Sequence, residues 1–92
     1  MSIKLTKKNL EKLRSLFEEI GFRVRFEKGN FQSGYCLIKE HNVAVINKFL
    51  PVEGRVHAML DILPQVEGVD TSKLSDDGEA LYKEAMKVEA ED

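Results

Sequence analysis

Glu53, His57 and Asp61 stand four residues apart in a stretch with helical periodicity, so all three fall along one helix face. That spacing can bring two side chains to one divalent metal ion, with His41 or Glu40 as the further ligand a site requires. The simpler reading is the outer polar face of an amphipathic helix. No other cofactor is implied. Cys36 is the sole cysteine, which leaves no internal disulfide and no four-cysteine zinc site. As a nucleophile it would need His41 or His57 as base, yet it lies mid-strand with no helix N-terminus before it, and a core position suits it better.

A second constellation is basic. Lys4, Lys7, Lys8, Lys12, Arg14, Arg23, Arg25 and Lys28 accompany Phe22, Phe26 and Phe31, a mixture that can follow a phosphate backbone while rings stack on bases. Lys8, Lys12, Arg23 and Arg25 are the candidate nucleic-acid contacts. Phe22 and Phe26 belong to the apolar face of their strand, however, and no ribonucleoprotein-type aromatic motif is present, so a solvated basic surface is the preferred reading. The loop Lys28 to Gly34 has glycines, an asparagine and a serine that can offer N–H groups to an anion. It lacks the phosphate-loop Gly-Lys-Ser/Thr spacing and precedes a strand, which makes it a plain turn.

The elements that must position these residues follow from periodicity. Leu10, Leu13, Phe17 and Ile20, widened by Leu16, line one face of a helix from Lys7 to Ile20, with Thr6 as N-cap and Gly21 as the left-handed stop. Phe22 to Glu27 alternates as a strand with one wet face, and Tyr35 to Lys39 forms a second strand. Glu40-His41-Asn42 turns into a third, Val43 to Asn47, as a hairpin. Pro51 opens a second helix that buries Val52, Val56, Met59, Leu60 and Leu63 and stops at Pro64; Gly54 within it permits close approach of the backbone to the sheet or to a ligand, packing being the preferred reading. Ser75 with Asp76 and Asp77 starts a third helix, with Leu81, Ala85 and Val88 as a narrow stripe broadened by Tyr82 and Met86. Residues 89–92 form a frayed acidic tail.

The third strand is the anomaly. Val43 and Val45 on one face and Ala44 and Ile46 on the other are all apolar, whereas a strand at the edge of a meander is ordinarily defended by charge or proline. The C-terminal helix, a strand order that makes it central, or a second copy of the chain can cover it. Val43, Val45, Ile46, Tyr35 and Leu37 are therefore the candidate interaction residues.

The totals bound the rest. The chain has 92 residues, 42% apolar and 33% charged, one α+β domain over residues 1–88 that buries only ~60–65% of the surface its unfolded form exposes. The net charge of −2 conceals a gradient. Residues 1–28 hold eight Lys and Arg against four Glu, and residues 61–92 three Lys against ten Asp and Glu. Such asymmetry can steer a partner. No apolar run approaches the roughly 18 residues of a membrane span, MSIKLTKKNL lacks a signal-peptide core, and the lone cysteine fits a reducing cytoplasm.

The segment VAVINKFLPVEGRVHAMLDIL, Val43 to Leu63, resembles the strand and following helix of ImmA/IrrE-type zinc peptidases. In that family an apolar strand ending in Asn leads through a proline-containing turn and an arginine into a helix that carries HExxH. Here Leu60, Asp61, Leu63 and Pro64 stand near the motif's places and the motif is absent. The resemblance covers about 21 residues and implies a similar local topology without peptidase activity. The chain as a whole also resembles short bacterial proteins, a likeness that implies no activity.

The expectation is a two-layer α+β domain of order αβββαα, a three-stranded antiparallel sheet covered on one face by the first two helices. Its leading function is a non-catalytic interaction module, homodimeric or with a protein partner. A metal protein or hydrolase-like enzyme using Glu53, His57 and Asp61 is the alternative, and nucleic-acid binding through the basic half the second.

Overall fold

The computed structural model describes residues 3–29 and 34–90, the side chains of 88–90 excepted. Phe31, the turn at Asn30, the Val88 side chain and residues 91–92 of the expected tail lie outside the described part. In chain order the elements are α1 (Lys7–Glu19), β1 (Arg23–Glu27), β2 (Tyr35–Ile38), β3 (Val43–Asn47), α2 (Val52–Ile62) and α3 (Asp76–Ala90), with short 3₁₀ turns at Lys39–His41, Leu63–Gln65 and Thr71–Lys73.

Helix α1 begins and ends for local reasons. The Thr6 hydroxyl accepts from the Asn9 N–H at 3.2 Å, satisfying one of the donors a helix start leaves free. At the other end Gly21 sits at φ +86°, Phe22 N–H bonds Phe17 C=O at 2.8 Å and Gly21 N–H bonds Glu18 C=O at 3.1 Å. This pair of bonds is a Schellman motif, and it delivers Phe22, buried, to the head of β1. In the hairpin turn, Asn42 at φ 55° plays the left-handed role between β2 and β3.

The sheet corrects the expected topology. Its order is β1-β3-β2, with β3 antiparallel to β2 but parallel to β1, so the sheet is mixed. The hairpin forms as expected. The first strand passes to the far side of β3, pairing Arg23 with Val43 through Glu27 with Asn47. The physical reason lies in the β3 side chains: a strand apolar on both faces is stabilised by hydrogen-bonded neighbours on each side, which an edge position withholds. Central placement, one of the three ways named above, satisfies both edges of β3, and the core helices cover its Ala44 and Ile46 face but not its Val43 and Val45 face.

Alternation then divides the sheet. Val24, Phe26, Ala44, Ile46, Tyr35 and Leu37 face the helices and join one core with Leu13, Leu16 and Phe17 of α1 and Val56, Met59 and Ile62 of α2. Full burial of Phe17 or Leu13 contributes about 1.5–3 kcal/mol each. Helix α3 packs mainly on α1 and the turn after α2, adding the buried Ala85.

Two details of α2 and one of α3 differ from the sequence reading. Pro51 is the N-cap rather than the first helical residue, with extended geometry at φ −67° and ψ 171°. Leu63 keeps helical geometry, φ −53° and ψ −45°, despite preceding Pro64; the helix tightens into the 3₁₀ turn Leu63–Gln65 instead of stopping. Burial of Leu63 in the core holds it there. Helix α3 runs through Ala90, two residues into the expected tail. At Gly54 the close neighbour is the turn before α2, not the sheet: a Cβ there would lie 3.3 Å from the Leu50 Cβ.

Candidate functional site

The face of the sheet on which no helix packs among the described residues carries three columns. Arg23, Arg25 and Glu27 come from β1, Val43, Val45 and Asn47 from β3, and Cys36 and Ile38 from β2. Val43 is buried yet stands outside the core cluster, flanked in register by Arg23 and Ile38. Val45 is half-buried between Arg25 and Cys36. Arg25 Nε meets Glu27 Oε2 at 2.7 Å along the rim, and both side chains are well exposed.

This arrangement revises the candidate interaction residues. Val43 and Val45 lie on the open face, whereas Ile46 is fully buried and Tyr35 and Leu37 turn toward the core. A period of two makes the split unavoidable, because neighbours along a strand point to opposite sides. Cys36 is exposed, contrary to its expected core position. Its place on the open face follows from Tyr35 and Leu37 taking the buried one. The Tyr35 hydroxyl accepts from Gln65 Nε2 at 3.0 Å, tying β2 to the end of α2.

Glu53, His57 and Asp61 are exposed along α2. Eight residues of helix rise about 12 Å, so Glu53 and Asp61 are too far apart to share an ion. Among the described residues no three His, Cys, Asp or Glu side chains come together to hold a metal. Neither is Cys36 joined to His41 or His57 by any hydrogen bond among those described. Leu60, at the place of the zinc motif, is buried in the core at 7% exposure.

The basic candidates are divided by the fold. Lys8 and Lys12 belong to α1, and Lys12 lines a groove of about 770 Å³ between α1 and α3; Arg23 and Arg25 lie on the opposite side of the sheet. Glu19 also lines that groove, and its carboxylate accepts from the Ser75 N–H at 2.7 Å and the Ser75 hydroxyl at 2.9 Å.

A different basic group forms where β1 and β3 end. There Phe49 is exposed between Lys28 and Lys48, and Arg14 and Arg55 lie over the ring of Phe26. Sequence reasoning passed over Phe49, Lys48 and Arg55. The available signal was an aromatic residue in Asn47-Lys48-Phe49-Leu50-Pro51, a turn where neither strand nor helix periodicity requires one. No helix among the described residues is long and apolar enough to cross a membrane. Comparison with protein-family models, with curated proteins and with solved structures finds no match to the chain.

Proposed function

We propose that the chain is a small non-catalytic interaction module that self-associates, packing the helix-free face of its sheet against the same face of a second copy. The observation that carries this reading is the group Ile38, Val43, Val45 and Cys36 on that face, bordered by the charged β1 column. Two sheets packed about 10 Å apart bury such columns against each other. A second copy fits the border as well as the centre, because the rim carries both signs of charge. Two-fold packing can set Arg25 of one copy against Glu27 of the other. The pair within one chain is exposed and contributes little, so exchanging it costs about as little. Burial of the half-buried Ile38 and Val45 is left as the driving term, Val43 being already buried in the single chain.

Sedimentation equilibrium tests the reading. The wild-type chain should show a concentration-dependent dimer, and Val45→Glu should remain monomeric over the same range with an unchanged far-UV spectrum, since Val45 lies outside the core. A short bismaleimide should bridge the paired Cys36 thiols of the dimer. A monomer at every concentration, or a dimer indifferent to Val45→Glu, overturns it.

A further inference from the structure

The corner where the parallel strands β1 and β3 end has a different chemistry from the open face. Phe49 is 69% exposed, the one large hydrophobic side chain so placed among the described residues. The ammonium groups of Lys48 and Lys28 stand 5.7 and 6.0 Å from its ring centroid. Close by, the half-buried Phe26 ring carries two guanidinium groups, Arg55 at 4.8 Å and Arg14 at 5.1 Å. Arg55 ties the Phe26 ring to the turn that carries Phe49: while stacked on Phe26 it donates from Nη2 to the Lys48 C=O at 2.6 Å and from Nε to the Leu50 C=O at 3.0 Å.

None of these four cations has a carboxylate partner among the described ion pairs, which are Arg25 with Glu27 and Lys83 with Glu79. The ring quadrupoles hold these cations in place without neutralising them, which leaves their charge to meet an anion.

We propose that this corner binds single-stranded nucleic acid without base specificity, one base stacking on Phe49 and adjacent phosphates meeting Lys28, Lys48 and the guanidinium groups. Exposed aromatic rings beside cations provide both interactions such a strand needs. An arriving base displaces a lysine from the ring, and its flexible stem carries the ammonium to a phosphate. An anionic membrane is the poorer occupant, because insertion calls for an apolar face and one protruding ring does not make one. The site adjoins, at Glu27 and Asn47, the self-association face, whose central residues are Val43 and Val45.

Fluorescence anisotropy with a labelled mixed-sequence 12-nucleotide single strand tests the proposal. Binding should weaken with salt by about 0.7 log units per log unit for each phosphate neutralised. Phe49→Ala should lower affinity about tenfold, whereas Phe49→Tyr, which keeps a ring, should restore most of it. Lys28→Gln with Lys48→Gln should flatten the salt slope by about 1.4. Lys8→Gln with Lys12→Gln should leave affinity and slope unchanged. The proposal is overturned by absence of binding at low salt, by equal affinity of wild type and Phe49→Ala, by loss of binding in the Lys8 and Lys12 variant instead, or by binding to phosphatidylserine vesicles and not to the oligonucleotide.

Discussion

At Gly78 the absence of a side chain lets two helices meet. A Cβ there would lie 2.7 Å from Glu19 Oε2 and 2.8 Å from Oε1, the atoms that receive the Ser75 N–H and hydroxyl at the start of α3. The Ser75 hydroxyl oxygen in turn accepts from the Gly78 N–H at 3.0 Å, a capping bond across three residues. Gly78→Ala therefore brings two opposed effects. Alanine gains about 1 kcal/mol of helix propensity, and the displaced carboxylate loses hydrogen bonds worth about 1.5–3 kcal/mol. The expected result in urea denaturation is a loss of about 1 kcal/mol in the wild-type background and a gain of up to about 1 kcal/mol when Glu19→Ala is already present. Equal effects in both backgrounds would show that Glu19 does not govern the position. That Ser75 starts a helix was legible from its type and the acids that follow. The partner 56 residues away was not, because no local pattern couples a helix end to a carboxylate on another helix.

At the scale of elements, the turn between β3 and α2 depends on one side chain. Arg55, one turn into α2, reaches back to the carbonyl groups of Lys48 and Leu50 and covers Phe26, so it fastens strand, turn and helix at once. Arg55→Ala should destabilise the fold by about 1–2 kcal/mol, and Arg55→Lys should recover less than half of that, since an ammonium neither forks to two acceptors nor stacks as a plane. Full recovery by lysine would reduce the role to charge alone. The existence and type of α1, β3 and α2 were legible because each has a strong period and a recognisable stop. Their ends were less so. Leu63 keeps helical geometry ahead of Pro64, and the turn Leu63–Gln65 carries the chain past the expected stop, because burial outweighs the bias that a following proline imposes.

For the molecule as a whole, the position of β3 ranks its parts. Arg23 N–H and Glu27 C=O are bonded toward β3 and its flanks, so by alternation the main-chain groups of Val24 and Phe26 point away from it. Amide hydrogen exchange should accordingly be slowest within Val43 to Asn47, at rates set by global unfolding, with Val24 and Phe26 exchanging through local opening. Equal protection of Val24 and Phe26 would reveal another strand or chain seated on β1. Residue order alone determined that this is an α+β chain with three helices, a β2–β3 hairpin and a third strand that could not be left at an unprotected edge, because these depend on period, caps and turns within a few residues. Tertiary structure alone decided that β1 lies parallel on the outer side of β3, that Cys36 faces out while Ile46 faces in, and that Arg14, Arg55 and the lysines gather around two rings. Strand order and the meeting of distant side chains follow from how whole faces are buried together, and that free energy is not assigned to any one stretch of sequence.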